Sequence, residues 1–207
     1  MNFLAKLFQR KKAAGTFKGR RRTCDDAITY RMRAGFLGEV NRSHPAGIEP
    51  CLIDASAPPT AYGQAVVVDA TTQGVRPLVA GDSGLTGVYG FTVRPFPTQA
   101  ASSAVGFGGT QAEGGAISAA SPTPPTSGST DVLRSGYIIA KLNTGATAVK
   151  GAGVFIWVAA TSGDHIQGGL ESAASAGNTI ALTDAGSVAT FNGGADANGL
   201  VEIAFNV

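Results

Sequence analysis

Residues 80–87 read AGDSGLTG, and a Gly-Asp-Ser-Gly string of this kind surrounds the serine nucleophile in one type of peptide hydrolase. That chemistry needs a histidine to take the hydroxyl proton and an acid to orient it. The upstream histidine, His44, precedes Pro45 in a turn-like NRSHPAG, and the other, His165, lies far downstream. Asp82 and Gly84 suit a turn between strands instead. Metal chemistry fares no better: the histidines are far apart, Cys24 and Cys51 form no Cys-x-x-Cys pair, and no carboxylates follow calcium-loop spacing. The glycine-rich strings GFGGT, GAGVF and NGGADANG lack the Lys-Ser/Thr of a phosphate loop and read as turns. Asp25 and Asp26 stand among arginines and read as local counter-charge, since a general acid needs burial to raise its pKa. Cys24 and Cys51 read as reduced, partly buried thiols. The sequence therefore predicts no catalytic residue, no metal site, no cofactor and no small-molecule substrate.

The strongest charge feature is QRKKAAGTFKGRRR, residues 9–22. Through Arg42 the chain carries 11 Lys/Arg against 3 Asp/Glu, a balance of +8, and from Ser43 onward 5 against 11, a balance of −6. A basic arm on an acidic body binds an acidic partner, or the body of its own neighbour. The arm, residues 1–33, is too poor in apolar residues to fold alone and is expected to order on a partner. Leu4, Leu7 and Phe8 at its start have helical spacing and would anchor in an apolar groove. Arg10, Lys11, Lys12, Lys18, Arg20, Arg21 and Arg22 would pair with carboxylates, bidentately where arginine does so. Only Phe17 and Tyr30 are available for stacking and no reader motif is present, which speaks against nucleic acid as the partner. The opening MNFLAKLFQRKK reverses the order of a signal peptide, and no later stretch approaches the length of a membrane span, so no membrane is expected.

These residues must be positioned by a body spanning residues 34–207. At 207 residues and 43% hydrophobic content the chain can fill a core, while a charged fraction of 14% leaves a small, neutral surface suited to permanent contact. Brief apolar runs cut by Gly, Pro, Asp and Asn predict strands near 48–53, 64–69, 88–94, 136–142, 153–159, 179–182 and 200–207. YGFTVRP alternates as a half-buried strand does, and VFIWVAA is continuous, as in a strand covered on both faces. No long amphipathic helix competes, so the expected fold is all-β, a small β-sandwich or barrel, jelly-roll-like. Residues 98–135, rich in Ala, Ser, Gly and Pro, read as a long surface excursion that contacts a partner.

A family resemblance runs through the same body. Gly38-Glu39-Val40-Asn41-Arg42, then Ile48-Glu49-Pro50, Pro58-Pro59 with Tyr62-Gly63, and Gly87-Val88-Tyr89-Gly90 running into Val93-Arg94-Pro95 resemble, in this order, the capsid decoration or structural cement proteins of tailed bacteriophages. The closing GLVEIAFNV is similar to that family's last strand. The resemblance makes Arg42, Glu49, Pro50, Gly63, Tyr89, Gly90 and Arg94 the structural motif residues. It implies a protein of the virion's outer capsid surface, made in the host cytoplasm, whose partners are the major capsid protein and neighbouring copies of itself, as dimer or trimer. The arm and the 98–135 stretch depart from the shorter family pattern. Two readings compete: a small-virus coat protein whose basic arm binds packaged nucleic acid, and a cellular β-barrel binding module.

Overall fold

The computed structural model describes residues 35–42, 45–95, 123–184 and 187–207. Ten strands run through these residues: β1 (Gly47–Leu52), β2 (Ala65–Val68), β3 (Val75–Pro77), β4 (Gly90–Thr92), β5 (Ser129–Lys141), β6 (Val154–Trp157), β7 (Leu170–Glu171), β8 (Thr179–Asp184), β9 (Ser187–Phe191) and β10 (Leu200–Phe205). One 3-10 turn, Ala80–Gly84, follows β3. The ladders between named strands are antiparallel, in the order β3-β2-β4-β5-β10-β9-β8-β6-β7, with β1 added on β5. The all-β expectation holds.

The architecture turns on β5. Its first half, residues 129–135, pairs with β1 and β4, and its second half, residues 136–141, pairs with β10. Between the halves the β1 register jumps from Gly47↔Ser135 to Ile48↔Leu133, which leaves Arg134 as a bulge residue with no partner in β1. Gly136 follows with a φ of +134°, where an added Cβ would sit 2.8 Å from the Pro45 carbonyl oxygen. A bulge and a left-handed glycine bend one strand out of one sheet and into another, a recognised way to make the corner of a sandwich.

The bend curls the sheet around a main core, with a smaller separate cluster of Val66, Val75 and Val132. Phe91 of β4 and Phe205 of β10 meet edge to face at 5.1 Å between ring centres, both fully buried. Three ladder steps separate β4 from β9, about 14 Å in a flat sheet. Yet the Ser187 hydroxyl, at the start of β9, donates to the Val88 carbonyl at 2.8 Å and accepts from the Val88 N–H at 3.0 Å. Only a curled sheet brings them together. The core so enclosed holds Leu133, Ile138, Ile156, Leu182, Phe191 and Ile203 among others, each contributing about 1.5–3 kcal/mol on burial. β10 supplies its share by strict alternation, burying Val201, Ile203 and Phe205.

Three expectations need correction. Residues 129–135 belong to β5, so the excursion ends before Ser129; the part of it at 98–122 lies outside the described residues. YGFTVRP is not half-buried: Gly90, Phe91, Thr92 and Val93 are all buried, because β4 lies between β2 and β5 and the 61–64 turn covers its other face. β3, β7 and β9 were not expected. In the continuous run VFIWVAA, Val154, Ile156, Trp157 and Val158 are buried, while Phe155 on the second face is only half-buried, so coverage of that face is partial.

Candidate partner-binding surface

The arm residues Leu4, Leu7, Phe8, Arg10, Lys11, Lys12, Lys18, Arg20, Arg21 and Arg22, like Cys24 and His44, lie outside the described residues. The seven motif residues fall within them, at three places on the body.

The first place is where the chain enters the body. Gly38 donates from its N–H to the Ile139 carbonyl at 2.8 Å and accepts from the Arg94 N–H at 2.8 Å, while Gly63 donates to the Thr92 carbonyl at 2.7 Å. Two glycines are needed because backbone crosses backbone. A Cβ on Gly38 would meet the Tyr62 Cβ at 2.4 Å, and one on Gly63 the Ile139 carbonyl oxygen at 2.6 Å, with both φ values positive. The Arg94 guanidinium lies over the Phe36 ring at 5.1 Å, and burial pushes its pKa down.

The second place pins the same segment to β10. Arg42 forms a two-point ion pair with Glu202, Nε to Oε1 at 3.1 Å and Nη2 to Oε2 at 2.9 Å, and its guanidinium covers the Tyr137 ring at 4.2 Å. Burial pushes the Glu202 carboxyl up, but hydrogen bonds from Asn192, Arg42 and Asn41 outweigh it and hold the group below its ordinary value. The residues that follow the arm are thus clamped across β5 and β10.

The third place is the β1 edge. Tyr89 donates its hydroxyl to Glu49 Oε1, and that bond, with burial second, pushes the phenol up to about 12. Arg134 stacks on the Tyr89 ring at 3.6 Å, donates to the Tyr89 carbonyl, and brings Nε to 3.5 Å from Glu49. The bulge aims this side chain, and nothing in the sequence around STDVLRSG marks it. Cys51 sits half-buried beside the trio, and burial pushes its thiol up. Gly90 is required where β4 crosses β5, since a Cβ there would stand 2.3 Å from the Leu133 carbonyl oxygen. Pro50 lies opposite Asp131 in the register. The Ile53 N–H to Gly128 bond fixes the alternation, so residues 49, 51 and 53 face β5 and residue 50 faces outward, where a missing N–H breaks no ladder bond.

The protease-like string is accounted for differently. Asp82 accepts from Arg76 twice, at 2.8 and 2.9 Å, and from the Val79 N–H at 2.8 Å, and the Arg76 bond leads in holding its carboxyl below the ordinary range. Ser83 is exposed. His165 stacks on Trp157 at 4.2 Å and meets buried Glu171 at 2.7 Å, while Asn143 donates to the same carboxylate oxygen at 2.7 Å. Among the described residues no three metal-ligating side chains converge.

A curled antiparallel body whose charged side chains clamp its own strands defines a structural β-sandwich module. The sequence matches, over residues 25–206, the family described as structural cement protein (E217 gp24/Pam3 gp6). The chain belongs to this family of phage structural cement proteins, and its role is that of a capsid structural protein of the virion. Its fold is similar to that of a chain in the solved capsid of Myoviridae phage XM1, with a TM-score of 0.56, 16% identity, and coverage of 86% of this chain and 94% of that chain. Compared with curated proteins, the chain matches none.

Proposed function

We propose that this protein binds the outer surface of an assembled icosahedral phage head, bridges neighbouring major capsid proteins and stabilises the shell. The observation that carries the reading is the match of residues 25–206 to the structural cement family. The body supports it with a bent, closed sheet whose motif residues are committed to rigidity. The sequence adds a basic arm of 33 residues, whose reach when extended is on the order of 110 Å. In this reading Leu4, Leu7 and Phe8 seat in an apolar groove, and the lysines and arginines from Arg10 to Arg22 pair with carboxylates on the shell or on a neighbouring copy, in a dimer or trimer.

The test is addition of the purified protein to heads lacking it, followed by cryo-EM. Density outside a separate, continuous shell, with residues 1–33 running over neighbouring subunits, is the expected result. A β body that itself forms the continuous shell, its arm turned toward the genome, overturns the reading in favour of a coat protein. A chain lacking residues 2–22 is expected to keep its thermal midpoint and lose occupancy on the head.

A further inference from the structure

Among the described residues, the body carries a cleft that no other described side chain fills. It lies between the 60–64 turn, the 166–169 segment ahead of β7, and Leu37, and has a volume of about 160 Å³. Its walls are mainly apolar, with Leu37, Tyr62 and Ile166 contributing beside the glycines at 63, 168 and 169. A cavity of about 150 Å³ accepts a benzene ring, so one aromatic or branched aliphatic side chain fits.

Two features make it a built site. Its loop wall is fixed from beneath by Asn143, which is fully buried and bonds the Ile166 backbone at both N–H (3.2 Å) and carbonyl (3.3 Å), and also Glu171. A buried polar network of this kind is costly unless every member is satisfied, and it holds the wall in one position. Ile166 itself, held by that clamp, remains 49% exposed. The second feature is charge. Lys141, at the end of β5, is the one charged side chain lining the cleft, and among the described residues it pairs with no carboxylate, donating only to the Asn198 carbonyl.

We infer that the cleft receives a protruding aromatic or branched aliphatic side chain of a capsid-shell subunit, carried on an acidic segment whose neighbouring carboxylate pairs with Lys141. This rests on the cement reading and names the contact that reading leaves open. The chain's own arm is a poor occupant, since its excess of positive charge repels Lys141. An apolar side chain in a preformed pocket beside one cation is the arrangement of an interface hot spot.

The experiment compares wild-type protein with Lys141→Glu and Ile166→Glu in binding to cement-free heads, together with thermal midpoints and sedimentation of the free proteins. Both substitutions fall on exposed side chains, so the midpoints should stay within a few degrees of wild type. The expected result is at least tenfold weaker head binding for each variant, with self-association unchanged, and wild-type binding that weakens as salt rises. Variants that bind heads as wild type does overturn the assignment. Variants that bind heads normally but lose self-association overturn it too, and give the cleft to a contact between copies. Failure of the wild type to add to heads at all strikes the cement reading itself, and the cleft assignment falls with it.

Discussion

At the residue scale, the body's charges act in pairs whose geometry sets their pH response. Asp82 is held below its ordinary pKa by Arg76, so the stability it contributes is present above the unfolded carboxyl value, about 3.9, and is lost as pH falls through the folded one. Asp82→Asn should therefore lower the thermal midpoint at pH 7, by the equivalent of about 1–3 kcal/mol, and flatten its decline below pH 4, a difference read from melts across pH 2–7. Gly90→Ala places a methyl group inside contact distance of the Leu133 carbonyl and should cost about 3 kcal/mol or more, measured by urea unfolding. An unchanged midpoint would mean that β4 can move off β5. The sequence marked Gly90, Tyr89 and Glu49 only through the family resemblance carried by Gly87-Val88-Tyr89-Gly90 and Ile48-Glu49-Pro50. It left Arg134 and Glu202 unmarked, since each acquires its role from a partner at least 40 residues away, Tyr89 in one case and Arg42 in the other.

At the element scale, legibility followed period. LVEIAF alternates and VFIWVAA is continuous, and both are strands where they were expected. The first half of β5 reads as loop in the sequence because STDVLRS opens on three polar residues and its alternation breaks toward the bulge, a break that a period of two cannot carry through. β3 holds Pro77 and β7 is two residues long, so neither offers a window in which a period can be counted. β9 alternates as SVATF but is only five residues long. At the edge, β1 presents Ile48 and Leu52 exposed at 45% and 67%, with Pro50 between them. An outward proline blunts an edge against pairing with another chain. Pro50→Thr should leave the thermal midpoint within about 1 kcal/mol of wild type while raising self-association in sedimentation or light scattering. A loss of stability with no new association would instead assign the proline to the fold of β1.

At the scale of the whole molecule, the all-β class, the position of most core strands and the family could be read before any coordinate, whereas the curl that unites the strands could not. Curl depends on Gly136, on the bulge before it and on the Ser187–Val88 contact, which link positions 99 residues apart. Gly136→Val should block the left-handed backbone and press on the Pro45 carbonyl, and the soluble yield and midpoint should both fall, by more than Gly81→Ala, where φ is not positive and an added Cβ meets nothing within 4 Å. The continuous passage of β5 through both sheets also has a mechanical meaning. A load entering at the β1 edge and leaving through β10 runs along one covalent strand, and the bonds on either flank of that strand resist in shear, together, where a peeled edge would yield one bond at a time. Under the proposed bridging of two capsid subunits, such a body would act as a tie rod, stiff until it fails as a unit.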